Sequence, residues 1–174
     1  MIKPSAAKGA APRIHIQLTV SVPKYGFSRK YSPTATRIAK TEKTNCRMDS
    51  PDLDRVIRIK TSTCRGGLIE NVFVRNVTVG QCREAVLRIN LQYENREKCN
   101  RGYAPTVRNV HLKNVTCEKS KLGVLIIGLD DDKHVYNVSV EDSRFNNVKE
   151  GKNRISGAKD VTFKNLYING ELVK

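Results

Sequence analysis

The sequence predicts an all-β chain wound as a parallel β-helix, and three observations carry that prediction. A strand-and-corner unit recurs along the chain. Its copies align so that aliphatic residues fall in one column and Asn or Asp in another. No stretch shows the 3.6-residue apolar spacing of an amphipathic helix.

Four copies of the first strand align: IENVFVRNVTV (69–79), VRNVHLKNVTC (107–117), VYNVSVEDSRF (135–145) and AKDVTFKNLYI (158–168). Side chains alternate between the faces of a strand. Val72/Val74, Val110/Leu112, Val138/Val140 and Val161/Phe163 are therefore equivalent inward pairs, with Phe73, His111, Ser139 and Thr162 facing out. Asn76, Asn114, Asp142 and Asn165 form a polar corner. TNCRM (44–48) reads as the tail of an earlier copy.

A second strand follows: VIRIK (56–60), VLRIN (86–90), VLIIG (124–128) and a shrunken NRISG (153–157). Aligned as written, these give inward columns Ile57/Leu87/Leu125 and Ile59/Ile89/Ile127. Arg58 then stacks on Arg88 and Ile126, and Lys60 on Asn90 and Gly128. The unit recurs at intervals of 38, 28 and 23 residues, within the range of solenoid repeats and enough for about four coils. A leucine-rich repeat lacks support because its leucine spacing is absent. A β-sandwich leaves the columns unexplained.

Lys plus Arg number 32 against 17 acidic residues, a net charge of +15 that points to an anionic partner. Residues 1–45 hold nine basic residues and one acid. No apolar run approaches the ~20 residues of a membrane span. The N-terminus alternates in IHIQLTVSV and makes a poor signal peptide, so localisation is left open. Five cysteines, an odd number without CxxC spacing, predict no zinc site and read as free, at least half-buried thiols.

The second-strand columns place Arg58, Lys60 and Arg88 on one outer face. Stacked like charges repel unless an anion lies between them, so this stripe predicts an anion site.

The stretch RVIRIKTSTCRGGLIENVFVRNVTV (55–79), with EAVLRINLQY, GVLIIGL and DVTFKNLYING further on, resembles glycoside hydrolase family 28. These are the polygalacturonases and related pectin hydrolases. The resemblance covers residues 45–174, and its core is the Arg-Ile-Lys motif at 58–60. It implies a right-handed, single-stranded parallel β-helix. It also implies that Arg58 and Lys60 bind the carboxylate of a galacturonate, with Tyr93 one coil on lining the sugar site and Arg88 beside them. A guanidinium fork and a compact ammonium suit a carboxylate. The parent activity is inverting hydrolysis of α-1,4-galacturonosyl bonds, and family members are usually secreted or periplasmic.

The family's Asn-Thr-Asp and Gly-His-Gly motifs are missing from this sequence. Asp130–Asp132 follow Arg-Ile-Lys instead of preceding it, and read as a solvated loop. A calcium cluster there is disfavoured, because three successive residues do not converge on one ion without a special turn. His15, His111 and His134 match no catalytic context. The expectation is thus no catalytic residue, metal or cofactor: a fragment truncated on its N-terminal side, inactive as this chain alone. Residues 1–44 read as an unmatched basic extension or improvised cap. An open β-helix end predicts self-association.

Three functions compete. The first is pectin binding without hydrolysis. Nucleic-acid binding through the basic N-terminus is weaker, because the basic residues are not interleaved with aromatics. A purely structural β-helix would trimerise and ignore sugars. Sequons at Asn76, Asn114 and Asn137 read as structural corners and strand starts.

Overall fold

The computed structural model of the chain describes residues 18–21, 37–38, 41–93, 99 and 101–174. The rest of the predicted 1–44 extension, His15 included, lies outside the described residues. The strands are β1 Leu18–Ser21, β2 Arg37–Ile38, β3 Thr41–Met48, β4 Ile57–Lys60, β5 Leu68–Val79 and β6 Ala85–Asn90. They continue as β7 Thr106–Cys117, β8 Leu122–Ile127, β9 Val135–Phe145, β10 Arg154–Ser156, β11 Lys159–Ile168 and β12 Glu171–Leu172. No helix occurs among the described residues.

One sheet runs β1-β4-β6-β8-β10, the other β12-β11-β9-β7-β5-β2, with β3 also on β5. From β4 to β11 the chain alternates between the two sheets, so each strand lies beside the one two earlier. These pairings are parallel, and among the described residues only the closing β11–β12 hairpin is antiparallel. The protein is all-β, built of parallel sheets of stacked strands. Leu18–Ser21 pairs with Ile57–Lys60 in parallel, so part of IHIQLTVSV supplies a row to the first sheet.

Aliphatic columns fill the interior. Val72/Val110/Val138/Val161 and Val74/Leu112/Val140/Phe163 pair in register. The first three members of each are fully buried, whereas Val161 and Phe163 in the final row are half-buried. Met48/Val79/Cys117/Phe145/Ile168 forms a third column. Of the residues predicted to face out, Phe73 and His111 are half-buried and Thr162 is exposed. Ser139 is buried, because the His111 ring covers it and bonds its hydroxyl.

The corners depend on Asn. Asn45, Asn76, Asn114, Asp142 and Asn165 all have φ between 48° and 53°, as do related positions Asn71, Asn109, Asn137 and Asp160 at 51–58°. Asn and Asp tolerate this left-handed conformation better than other non-glycine residues. Their side chains then reach the next row. Asn114 donates to Asn76 (2.8 Å) and Asn76 to Asn45 (2.9 Å). Asn137 donates to Asn109 (2.8 Å) and Asn109 to Asn71 (2.9 Å). The three sequon asparagines thus have their amides engaged in the ladders. Asn114→Ala is expected to cost about 2 kcal/mol, one net hydrogen bond plus left-handed strain. Asn114→Gly should cost about half that, since glycine keeps the backbone. Urea titration checks both, and an alanine variant as stable as wild type would contradict this account of the corner.

The register of β8 corrects one prediction. Leu87 pairs with Val124, Arg88 with Leu125, Ile89 with Ile126 and Asn90 with Ile127. The inward columns are Ile57/Leu87/Val124 and Ile59/Ile89/Ile126, not Leu125 and Ile127, which face out half-buried. Likewise Leu125 and Ile127, not Ile126 and Gly128, continue the rows of Arg58 and Lys60. The cause is a connection one residue shorter: five residues separate Val79 from Ala85, but four separate Cys117 from Leu122. A one-residue shift exchanges the faces of a strand. Gly128 instead ends this strand where the next row crowds it. A Cβ there would lie 1.8 Å from the Gly157 carbonyl oxygen.

Candidate functional site

Ile57 and Ile59 are fully buried, which turns Arg58 and Lys60 to the outer face of the first sheet. The turn after each strand is tied to its neighbour. Tyr93 N–H donates to the Thr61 carbonyl (3.1 Å), Leu91 N–H to Ile127 (2.9 Å) and the Gln92 side chain to Gly128 (2.7 Å). Asn90 accepts from Gln92 N–H (2.9 Å), which bends the chain out of the strand. These bonds bring Tyr93 back over the preceding row. The Lys60 ammonium lies 4.7 Å and the Arg58 guanidinium 5.4 Å from the Tyr93 ring centroid. Both distances suit cation–π attraction. Tyr93 therefore positions the two cations, with part of its ring occupied by them.

Arg88 stacks beside Arg58 as predicted by the register, but its charge is spoken for. Its Nη1 donates to both oxygens of Glu84 at 2.8 and 2.6 Å. Arg55 Nε donates to the same carboxylate, at Oε2. Glu84 is thus the internal anion of this cationic group, and sequence reasoning passed over it. Arg58 and Lys60 have no carboxylate partner among the described residues. Burial, and then the charge of Arg55, hold the Arg58 guanidinium below its ordinary pKa. An anion seated there would relieve the repulsion.

A groove of about 570 Å³ adjoins this group and shares Tyr93 as a lining residue. Ser62, Thr63, Gln92, Arg101, Asp130, Asp131 and His134 also line it. The Asp130–Asp132 loop is exposed, as a solvated loop should be, yet its first two carboxylates face a cavity. His134 Nε2 lies 3.6 Å from Asp131. His111 is elsewhere, on β7, stacked on Phe73 at 5.4 Å and bonded to Ser139 at 2.9 Å. Burial holds its pKa below the usual histidine value. Among the described residues, no three His, Cys, Asp or Glu side chains converge to hold a metal ion.

The cysteine expectation is corrected in part. Cys64 and Cys99 form a disulfide, with Cα atoms 5.5 Å apart and 35 residues apart in sequence. Cys46, Cys82 and Cys117 are free, the last two buried. Cys64 lines the groove and the crosslinked loop contains Tyr93. Closing a loop of this length restricts the unfolded chain and is worth about 2–4 kcal/mol. Reduction is therefore expected to lower the melting temperature by roughly 5–15 °C. A melting curve unchanged by reductant would contradict this.

No family model matches the chain, and no curated protein matches it.

Proposed function

We propose that the protein is a right-handed, single-stranded parallel β-helix of about four coils related to the polygalacturonase-like hydrolases of glycoside hydrolase family 28. Its function is to bind a galacturonate-containing polysaccharide such as pectin through Arg58 and Lys60, without hydrolysing it. One observation carries the reading: among the described residues two neighbouring cations, placed by Tyr93, have no carboxylate partner, whereas adjacent Arg88 and Arg55 do. A uronate carboxylate supplies the missing charge, and its ring lies toward the groove. Ser62, Thr63 and Gln92 offer polar groups there for sugar hydroxyls. The Cys64–Cys99 disulfide suits an oxidising compartment, where such polysaccharides are met.

Hydrolysis with inversion needs two carboxyl groups about 6.5–9.5 Å apart on opposite sides of the scissile bond. Asp130 and Asp131 are neighbours on a single loop, and the sequence lacks the family's acidic motifs before Arg-Ile-Lys. Calorimetric titration with galacturonate and with galactose tests the binding reading. Galacturonate should bind and galactose, lacking the carboxylate, should not. A reducing-sugar assay on polygalacturonate should show no release above buffer, and sustained release would overturn the non-hydrolytic part.

A further inference from the structure

We infer that Cys82 and Cys117 form a reactive dithiol that exchanges with an anionic low-molecular-weight disulfide held in a cationic groove, and closes into a second crosslink of the chain. The site lies at the other end of the first-sheet strands from Tyr93 and does not rest on the uronate reading.

The pair is set by the stacking of two rows. Val79 of β5 pairs with Cys117 of β7, and the chain running on from Val79 brings Cys82 against the turn after Cys117. There Cys82 N–H donates to the Lys119 carbonyl (2.8 Å), and Cys117 Sγ donates to the same oxygen (3.4 Å). Both side chains are buried in one core cluster, and the two thiols hydrogen-bond to each other. That bond holds the Cys117 thiol below the usual cysteine value and Cys82 above it. The pair thus ionises first at Cys117, with a proton kept between the sulfurs.

Cys82 also lines a groove of about 400 Å³, whereas Cys117 does not. Its walls include the connections β5–β6, β7–β8 and β9–β10, where Lys149 N–H donates to the Ser120 carbonyl (2.9 Å). Arg83, Lys119, Lys121 and Lys149 line it, and among the described residues no acidic side chain does. Arg83 and Lys121 pair with Asp52 (2.6 Å) and Glu150 (3.5 Å). Lys119 and Lys149 are exposed and have no ion pair among the described residues. A disulfide bearing carboxylates places them on these lysines and its sulfurs beside Cys82.

The Cys117 thiolate takes the Cys82 proton as the Cys82 sulfur attacks the bound disulfide, whose S–S bond breaks to release a thiolate. That thiolate takes the proton from Cys117. Cys117 then attacks the Cys82 sulfur of the mixed disulfide and expels the second thiolate, which is protonated from solvent. Two protein thiols are oxidised, and the ligand disulfide is reduced to two thiols.

Oxidised glutathione, an anionic disulfide, tests this on the Cys46→Ser protein, whose remaining thiols are Cys82 and Cys117. Peptide mapping after exposure should find Cys82 bonded to Cys117. Cys46→Ser/Cys117→Ala should stop as one glutathione adduct on Cys82. The mapping needs no core substitution, so it stands even if that variant fails to fold. Relative to free cysteine, oxidised glutathione should react about tenfold faster than cystamine, a cationic disulfide, at low salt. Lys119→Ala/Lys149→Ala should remove most of that preference. Two thiols that persist in the folded protein while free cysteine is oxidised, or a Cys82 adduct that never closes with Cys117 present, would overturn the inference. Equal relative rates for the two disulfides would do the same by leaving the groove without a role.

Discussion

On the proposed uronate-binding reading, Arg58→Ala should lower the affinity for galacturonate by roughly 10- to 100-fold, the effect of losing a charge-assisted hydrogen bond pair to a carboxylate. The loss is large because the guanidinium is half-buried and faces no carboxylate among the described residues, so its charge is available to the ligand. Arg58→Lys recovers only part of it, since an ammonium keeps the charge and loses the planar fork. Stability behaves differently. Burial and Arg55 disfavour the charged form of Arg58 in the folded protein. Removing that cation should therefore leave the melting temperature unchanged or raise it. A residue whose truncation weakens binding without weakening the fold is placed for a ligand. If Arg58→Ala instead destabilises the protein and spares affinity, its role is structural.

Phe145→Ala costs about 3–5 kcal/mol, the usual range for a buried phenylalanine. The ring is fully buried and belongs to the column Cys117/Phe145/Ile168. Gly123, on the opposite sheet, makes room for it: a Cβ there would stand 3.1 Å from both the Phe145 ring and the Ile168 side chain. The backbone on that side has no side chain to swing into the space, so the cavity persists. Domains are stable by about 5–15 kcal/mol, which makes this a large fraction of the total. Phe145→Leu, which refills most of the volume, should recover more than half. Urea unfolding measures both, and a Phe145→Ala cost below about 1 kcal/mol would contradict the packing described.

The repeats made much of this fold legible. Val72, Val110 and Val138 alternate with polar neighbours, which fixes their face, and the Asn corners mark where each strand bends. Arg58 over Arg88 followed from aligning VIRIK with VLRIN, where single polar residues interrupt the apolar run. The same alignment failed at VLIIG because apolar residues occupy both faces and period 2 selects neither. Four residues between Cys117 and Leu122 then decided the register.

The site was legible only where it lies in strands. Arg58 and Lys60 share a strand face, and period 2 puts them together. Glu84 precedes β6, and its partners Arg55 and Arg88 come from either side, so no spacing rule connects the three. Asp131, His134 and Tyr93 line one groove because loops of successive rows stack, and loop direction has no periodic signature. The Cys64–Cys99 bond joins two loops for the same reason.

The most direct test of the central claim is calorimetric titration of galacturonate and galactose into the wild type and into Arg58→Ala/Lys60→Ala at low salt. The account predicts saturable, salt-sensitive binding of galacturonate to the wild type, none of galactose, and none of either to the folded double variant. Equal binding of the two sugars, or galacturonate binding that survives the double substitution, would contradict it.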